Sequence, residues 1–81
     1  MLDSEIVRRA VRAALEEERR RLLREIDKLT KEREGHARKL GNAEFVGKAK
    51  PEAVAKARRI HHELQEKIGR LNATVESLRL G

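Results

Sequence analysis

Residues 54–78 read VAKARRIHHELQEKIGRLNATVESL, and Val54, Ala57, His61, Leu64, Ile68, Leu71, Val75 and Leu78 within it are spaced 3, 4, 3, 4, 3, 4, 3. That is a heptad kept for more than three repeats, the pattern of a coiled-coil seam. A stripe only two residues wide cannot be buried by one helix alone, so a partner helix is required. Pro51 fits the first turn, where its missing N–H would have had no acceptor. Glu52 beside it complements the positive end of the helix. The expected second helix therefore covers about residues 51–79, with Leu80 and Gly81 fraying.

The partner lies upstream. From Ser4 to Leu40 there is no proline and one glycine, Gly35, and strong helix formers dominate. Apolar residues recur at Val7, Val11, Ala14, Leu15, Leu22, Ile26, Leu29 and Leu40, and His36 fits the same stripe. Arg19 and Arg33 also fall on it, where their stems can cover apolar surface while their heads reach water. Asp3 or Ser4 can cap the start. Gly41 and Asn42 read as a stop signal. The expected first helix covers about residues 4–40, and residues 41–50 form a link without a helical stripe.

Two stripes joined by so short a link argue for antiparallel neighbours. The fold class is all-α: a single two-helix antiparallel coiled-coil hairpin spanning residues 1–81, paired over roughly 40 Å at about 1.5 Å per residue. Two registers keep the heptads in phase. One sets Leu22 opposite Ile68. The other slides one heptad, setting Leu22 opposite Val75 and His36 opposite His61. The first needs less loop and gives each histidine an apolar partner. The first helix is the longer, so residues 1–13 overhang. Ile6, Val7 and Val11 there form an unpaired stripe suited to a second copy, a homo-oligomer contact.

Composition narrows the function. Charged residues make up 42% of the 81 positions and aromatics 1%, which suits exposed helices rather than a wide core. There is no cysteine, hence no disulfide framework and no thiolate metal site. No apolar run approaches a membrane span, and the first residues lack the apolar stretch of a signal peptide. A cytoplasmic protein is the default expectation. Catalysis has little to work with: no Tyr, no Gly-rich phosphate loop after a strand, and Ser4 and Ser77 far apart. No cofactor motif occurs. His61 and His62 are adjacent and point to different sides of one helix, whereas helical metal ligands favour i, i+3 or i, i+4 spacing. No metal site is expected.

The charge distribution is more telling than the net +6. Residues 1–34 hold ten basic and nine acidic side chains, and residues 60–81 hold three of each. Residues 35–59 hold seven basic and two acidic ones, a net of +5. Folding into a hairpin gathers Arg38, Lys39, Lys48, Lys50, Lys56, Arg58 and Arg59 at one tip, opposed by Glu44 and Glu52 alone. Charge kept for solubility would mix both signs, as the two ends do. A cluster of one sign is the footprint of a polyphosphate partner. Phe45, the one aromatic, lies in the link beside Val46. It is placed to plug the open end of the seam, an effect of roughly 2 kcal/mol. With one aromatic to stack on bases, contacts to phosphates and to shape are expected to dominate.

The stretch 39–54, KLGNAEFVGKAKPEAV, resembles the signature of the C-terminal coiled-coil arm of valyl-tRNA synthetase. That signature has a Lys-Leu pair, a small residue and Asn, Phe-Val, an Ala-Pro step, and an acidic residue before a valine. Lys39, Leu40, Asn42, Phe45, Val46, Ala49, Pro51, Glu52 and Val54 match it. Lys50 is an extra residue inside the Ala-Pro step, so the turn differs locally. The resemblance covers residues 20–80, and residues 1–19 fit it poorly. It implies a tRNA-binding arm that steadies the outer corner of the L-shaped tRNA while other domains do the chemistry. It also implies Asn42, Phe45, Val46 and Pro51 as structural tip residues. The chain would be such an arm, excised or engineered, or a stand-alone arm-like protein with its own N-terminal helix. The alternatives are a coiled-coil oligomerisation module without nucleic-acid binding, or an arm of the type found at the C-terminus of some translation-associated ABC ATPases.

Overall fold

The computed structural model describes residues 3–79. It contains α1 (Ser4–Gly41), α2 (Ala43–Lys48) and α3 (Pro51–Ser77), and no strand among the described residues. α1 and α3 pack antiparallel in a rod of 69 × 17 × 14 Å, and residues 4–14 of the longer α1 are all exposed. The fold is a coiled-coil hairpin with a short third helix at its bend.

The seam follows the heptads. Leu22 and Leu29 of α1 and Val54, Ala57, Ile68 and Val75 of α3 are buried. Leu15, Ile26, Leu40, His61, Leu64 and Leu71 are half-buried around them. Burial of a Val, Leu or Ile contributes about 1.5–3 kcal/mol, so this thin line of apolar residues carries the fold. Arg19 and Arg33 are half-buried, and Arg19 Nε is shielded without a hydrogen-bond partner. The Arg19 stem thus serves as seam surface.

The stripe at the start of α1 needs correction. Counting back from Leu22 in the seam's rhythm gives Arg19, Leu15, Arg12 and Arg8, not Val11 and Val7. The apolar stripe changes phase at Leu15. Val7 and Val11 therefore stand on a different side of α1 from the seam, and they are 42% and 50% exposed.

The helix ends also differ from expectation. Asp3 caps α1, its Oδ1 accepting from the Glu5 N–H at 3.0 Å. The stop at the other end does not use a left-handed glycine: no residue has positive φ among the described residues. α1 runs through Gly41, and the chain turns at Asn42, which is extended at φ −90°, ψ 111°. The Asn42 N–H donates to the Lys39 carbonyl at 3.2 Å. Its side-chain oxygen accepts from the N–H groups of Glu44 at 2.9 Å and Phe45 at 3.4 Å. One residue thus ends α1 and caps α2. Residues 43–48, expected to lack helix, are helical because this cap satisfies their first donors. α3 ends at Ser77, short of residue 79. There the hydroxyls of Thr74 and Ser77 donate back to the carbonyls of Arg70 at 3.0 Å and Thr74 at 2.7 Å. Leu80 and Gly81 lie outside the described residues.

Candidate nucleic-acid interface

Three helix ends meet at the bend, and each brings cations for a local reason. Arg38 and Lys39 occupy the last turn of α1 and Lys48 the last turn of α2, where positive charge complements the helix dipole. Lys50 is the residue before α3. Its carbonyl accepts from the N–H groups of Ala53 and Val54 at 2.9 and 3.2 Å, so the first turn of α3 winds onto it while Pro51 fixes the entry. Lys56, Arg58 and Arg59 follow within the first three turns of α3. All seven cationic side chains belong to exposed residues.

Among the described residues, five of the thirteen other arginines and lysines are ion-paired, against one of these seven. Elsewhere Arg9 lies 3.6 Å from Glu5, Lys31 3.1 Å from Asp27, Arg70 3.9 Å from Glu66 and Arg79 3.3 Å from Glu76. Arg21 forks onto both carboxylate oxygens of Glu18, with its Nε 3.1 Å from one of them. Hydrogen bonding to that guanidinium holds the Glu18 carboxyl below the usual glutamate value and raises Arg21. His62, which is exposed, bonds Glu66 at 2.6 Å. At the bend one cation is so engaged: Lys48 sits 3.6 Å from Glu44. Among the described residues, Arg38, Lys39, Lys50, Lys56, Arg58 and Arg59 have no acidic partner within the 4.0 Å of an ion pair.

The seven share one end but not one face. At about 100° per residue, Lys56 and Arg58 stand on opposite flanks of buried Ala57, and Arg59 points away from the seam. Lys39 flanks Leu40 in the same way, and Arg38 faces outward. Lys39 and Lys56 are brought together: both line a surface groove of about 370 Å³ between α1 and α3. Phe45 forms part of its wall, with Ala57, Ile60 and His36. Phe45 is half-buried and Val46 half-buried beside it, so the plug expected of Phe45 leaves the end of the seam partly open. The His36 Nδ1 is shielded from solvent and has no hydrogen-bond partner, an arrangement that costs about 1–3 kcal/mol when nothing compensates.

Reading the sequence alone misses His36 as a member of this end. The usable signal was its seam position one turn before Leu40, level with the bend. Among the described residues no three His, Asp or Glu side chains gather as metal ligands. No described helix is long and apolar enough to cross a membrane.

Residues 14–79 match the protein family described as the valyl tRNA synthetase tRNA binding arm. The chain is 48% identical over 64 residues to the valine-tRNA ligase of Rhizorhabdus wittichii, covering 79% of this chain and 7% of that ligase. It is 46% identical over 65 residues to that of Geobacter sulfurreducens, covering 80% and 7%. The ligase of Pseudothermotoga lettingae matches at 36% over 64 residues, covering 79% and 7%. The chain thus spans about 7% of the length of the curated relatives it matches. No solved structure shows a significant match.

Proposed function

Because the chain belongs to the valyl-tRNA synthetase tRNA-binding arm family, a non-catalytic module, we propose that it binds tRNA through phosphate contacts at the bend of the hairpin. The observation that carries this reading is the one-signed charge at the bend: residues 35–59 hold seven cations against two acids, six of the seven without an acidic partner, whereas both flanking stretches balance their charges. All seven tip cations fall inside the matched span 14–79, whereas Arg8, Arg9 and Arg12 fall outside it. Their spread over several faces suits a concave phosphate surface, contacted on more than one side, better than a flat one. Shape and phosphate placement then select structured RNA. Such work places the chain in the cytoplasm, where translation proceeds.

Titration with tRNA at several salt concentrations tests the proposal. Four to six phosphate contacts give a log–log slope of about −3 to −5, at roughly 0.7–0.9 per contact. Replacing Lys50, Arg58 and Arg59 with Gln should weaken binding sharply and flatten the slope. Replacing Arg8, Arg9 and Arg12 removes the same charge from the far end and should change little. Equal losses would reduce the interaction to bulk charge, and no binding near physiological salt would remove the proposal.

A second reading concerns Ile6, Val7 and Val11. They are exposed, lie off the seam phase, and fall outside the family-matched span. We propose that they pair with a second copy.

A further inference from the structure

We infer that the groove between α1 and α3 at the bend is a site for one nucleotide, its base held against the rings of Phe45 and His36 and its phosphate between Lys39 and Lys56. The inference deepens the RNA-binding reading and rests on it for the source of the nucleotide. One aromatic residue in the sequence offers little base contact. The fold adds a second ring by placing His36 of α1 and Phe45 of α2 on the wall of one groove. Imidazole and phenyl rings are both stacking surfaces for unpaired bases. The apolar side chains of Ala57 and Ile60 complete the wall.

Three features favour this occupant. The volume, about 370 Å³, sits at the small end of ligand sites, which run to roughly 300–1,000 Å³. Both charged residues of the groove are cations, and neither is engaged by an acid among the described residues. The shielded His36 Nδ1 makes no hydrogen bond, so stacking of a base on the ring breaks no polar contact of that atom. Stacking accepts any base, so the site adds affinity for an unpaired nucleotide without reading its identity.

Nuclear magnetic resonance on the intact chain tests this directly. Phe45 is the single phenylalanine and there is no Tyr or Trp, so its ring signals need separating only from those of three histidines. AMP should move the ring signals of Phe45 and His36 together, and inorganic phosphate at the same concentration should not move those of Phe45. Phe45→Leu, checked for retained helicity, should abolish the AMP response. It should lower tRNA affinity by about tenfold, within the range for loss of one stacked base, and leave the salt slope unchanged. Lys39→Gln with Lys56→Gln should instead flatten the slope by about 1.4–1.8. Absence of an AMP response at Phe45 overturns the groove. So does unchanged tRNA affinity in a folded Phe45→Leu chain, and in that case a normal salt slope would leave the phosphate-binding reading standing. AMP binding without tRNA binding would support the groove and remove the RNA reading.

Discussion

Asn42 is the residue on which the bend turns, and Asn42→Ala isolates its contribution. The substitution removes the oxygen that accepts from Glu44 and Phe45 at 2.9 and 3.4 Å. Loss of such a cap costs about 1 kcal/mol, within roughly 0.5–2. α2 has six residues, far fewer than a helix needs to persist unaided. The cost should therefore fall on α2 and leave the α1–α3 seam intact. Two amides report it: Val46 N–H, which donates to the Asn42 carbonyl at 3.1 Å, and Ala49 N–H, which donates to the Phe45 carbonyl at 2.8 Å. At about 1 kcal/mol, their hydrogen exchange should speed up about fivefold, with no change at Leu22, Leu29, Ile68 or Val75. Asn42→Asp keeps an acceptor of equal rank and should exchange like the parent. A uniform rise across α1 and α3 would refute local capping, as would Asp behaving like Ala. Phe45 rides on α2, so the Ala variant should also blur the groove it helps to form.

Two further outcomes follow from the geometry. Leu22 and Leu23 are adjacent but 6% and 44% exposed. Leu22→Ala should cost about 2–5 kcal/mol in thermal or urea melts, and Leu23→Ala well under half of that; equal costs would mean the seam is misplaced. If the start of α1 pairs with a second copy, sedimentation of the intact chain should be concentration-dependent, and deletion of residues 1–13 should yield a helical monomer. A monomer at every concentration would remove that reading and leave the hairpin untouched.

The helices and their pairing were legible in the sequence because both properties are local and periodic. The α3 heptad marks its buried face without reference to anything distant, and the 39–54 signature marks the bend and its family. The basic excess was equally legible, since a hairpin must bring residues 35–59 to one end. Other features depend on atoms that meet only after the chain has folded back. Asn42 read as a stop beside Gly41; its hydrogen bonds into the next turn make it a start as well, and turn the link into α2. Val7 and Val11 read as a continuation of the stripe; the change of phase could be counted back from Leu22, and the structure adds that both side chains are exposed. Which cations keep an acidic neighbour depends on rotamers and on i, i+3 and i, i+4 geometry rather than on counts. His36 and Phe45 are nine residues apart and belong to different elements. Their rings share one groove with Lys56 only because α2 folds beside the seam end, a juxtaposition that residue spacing does not encode.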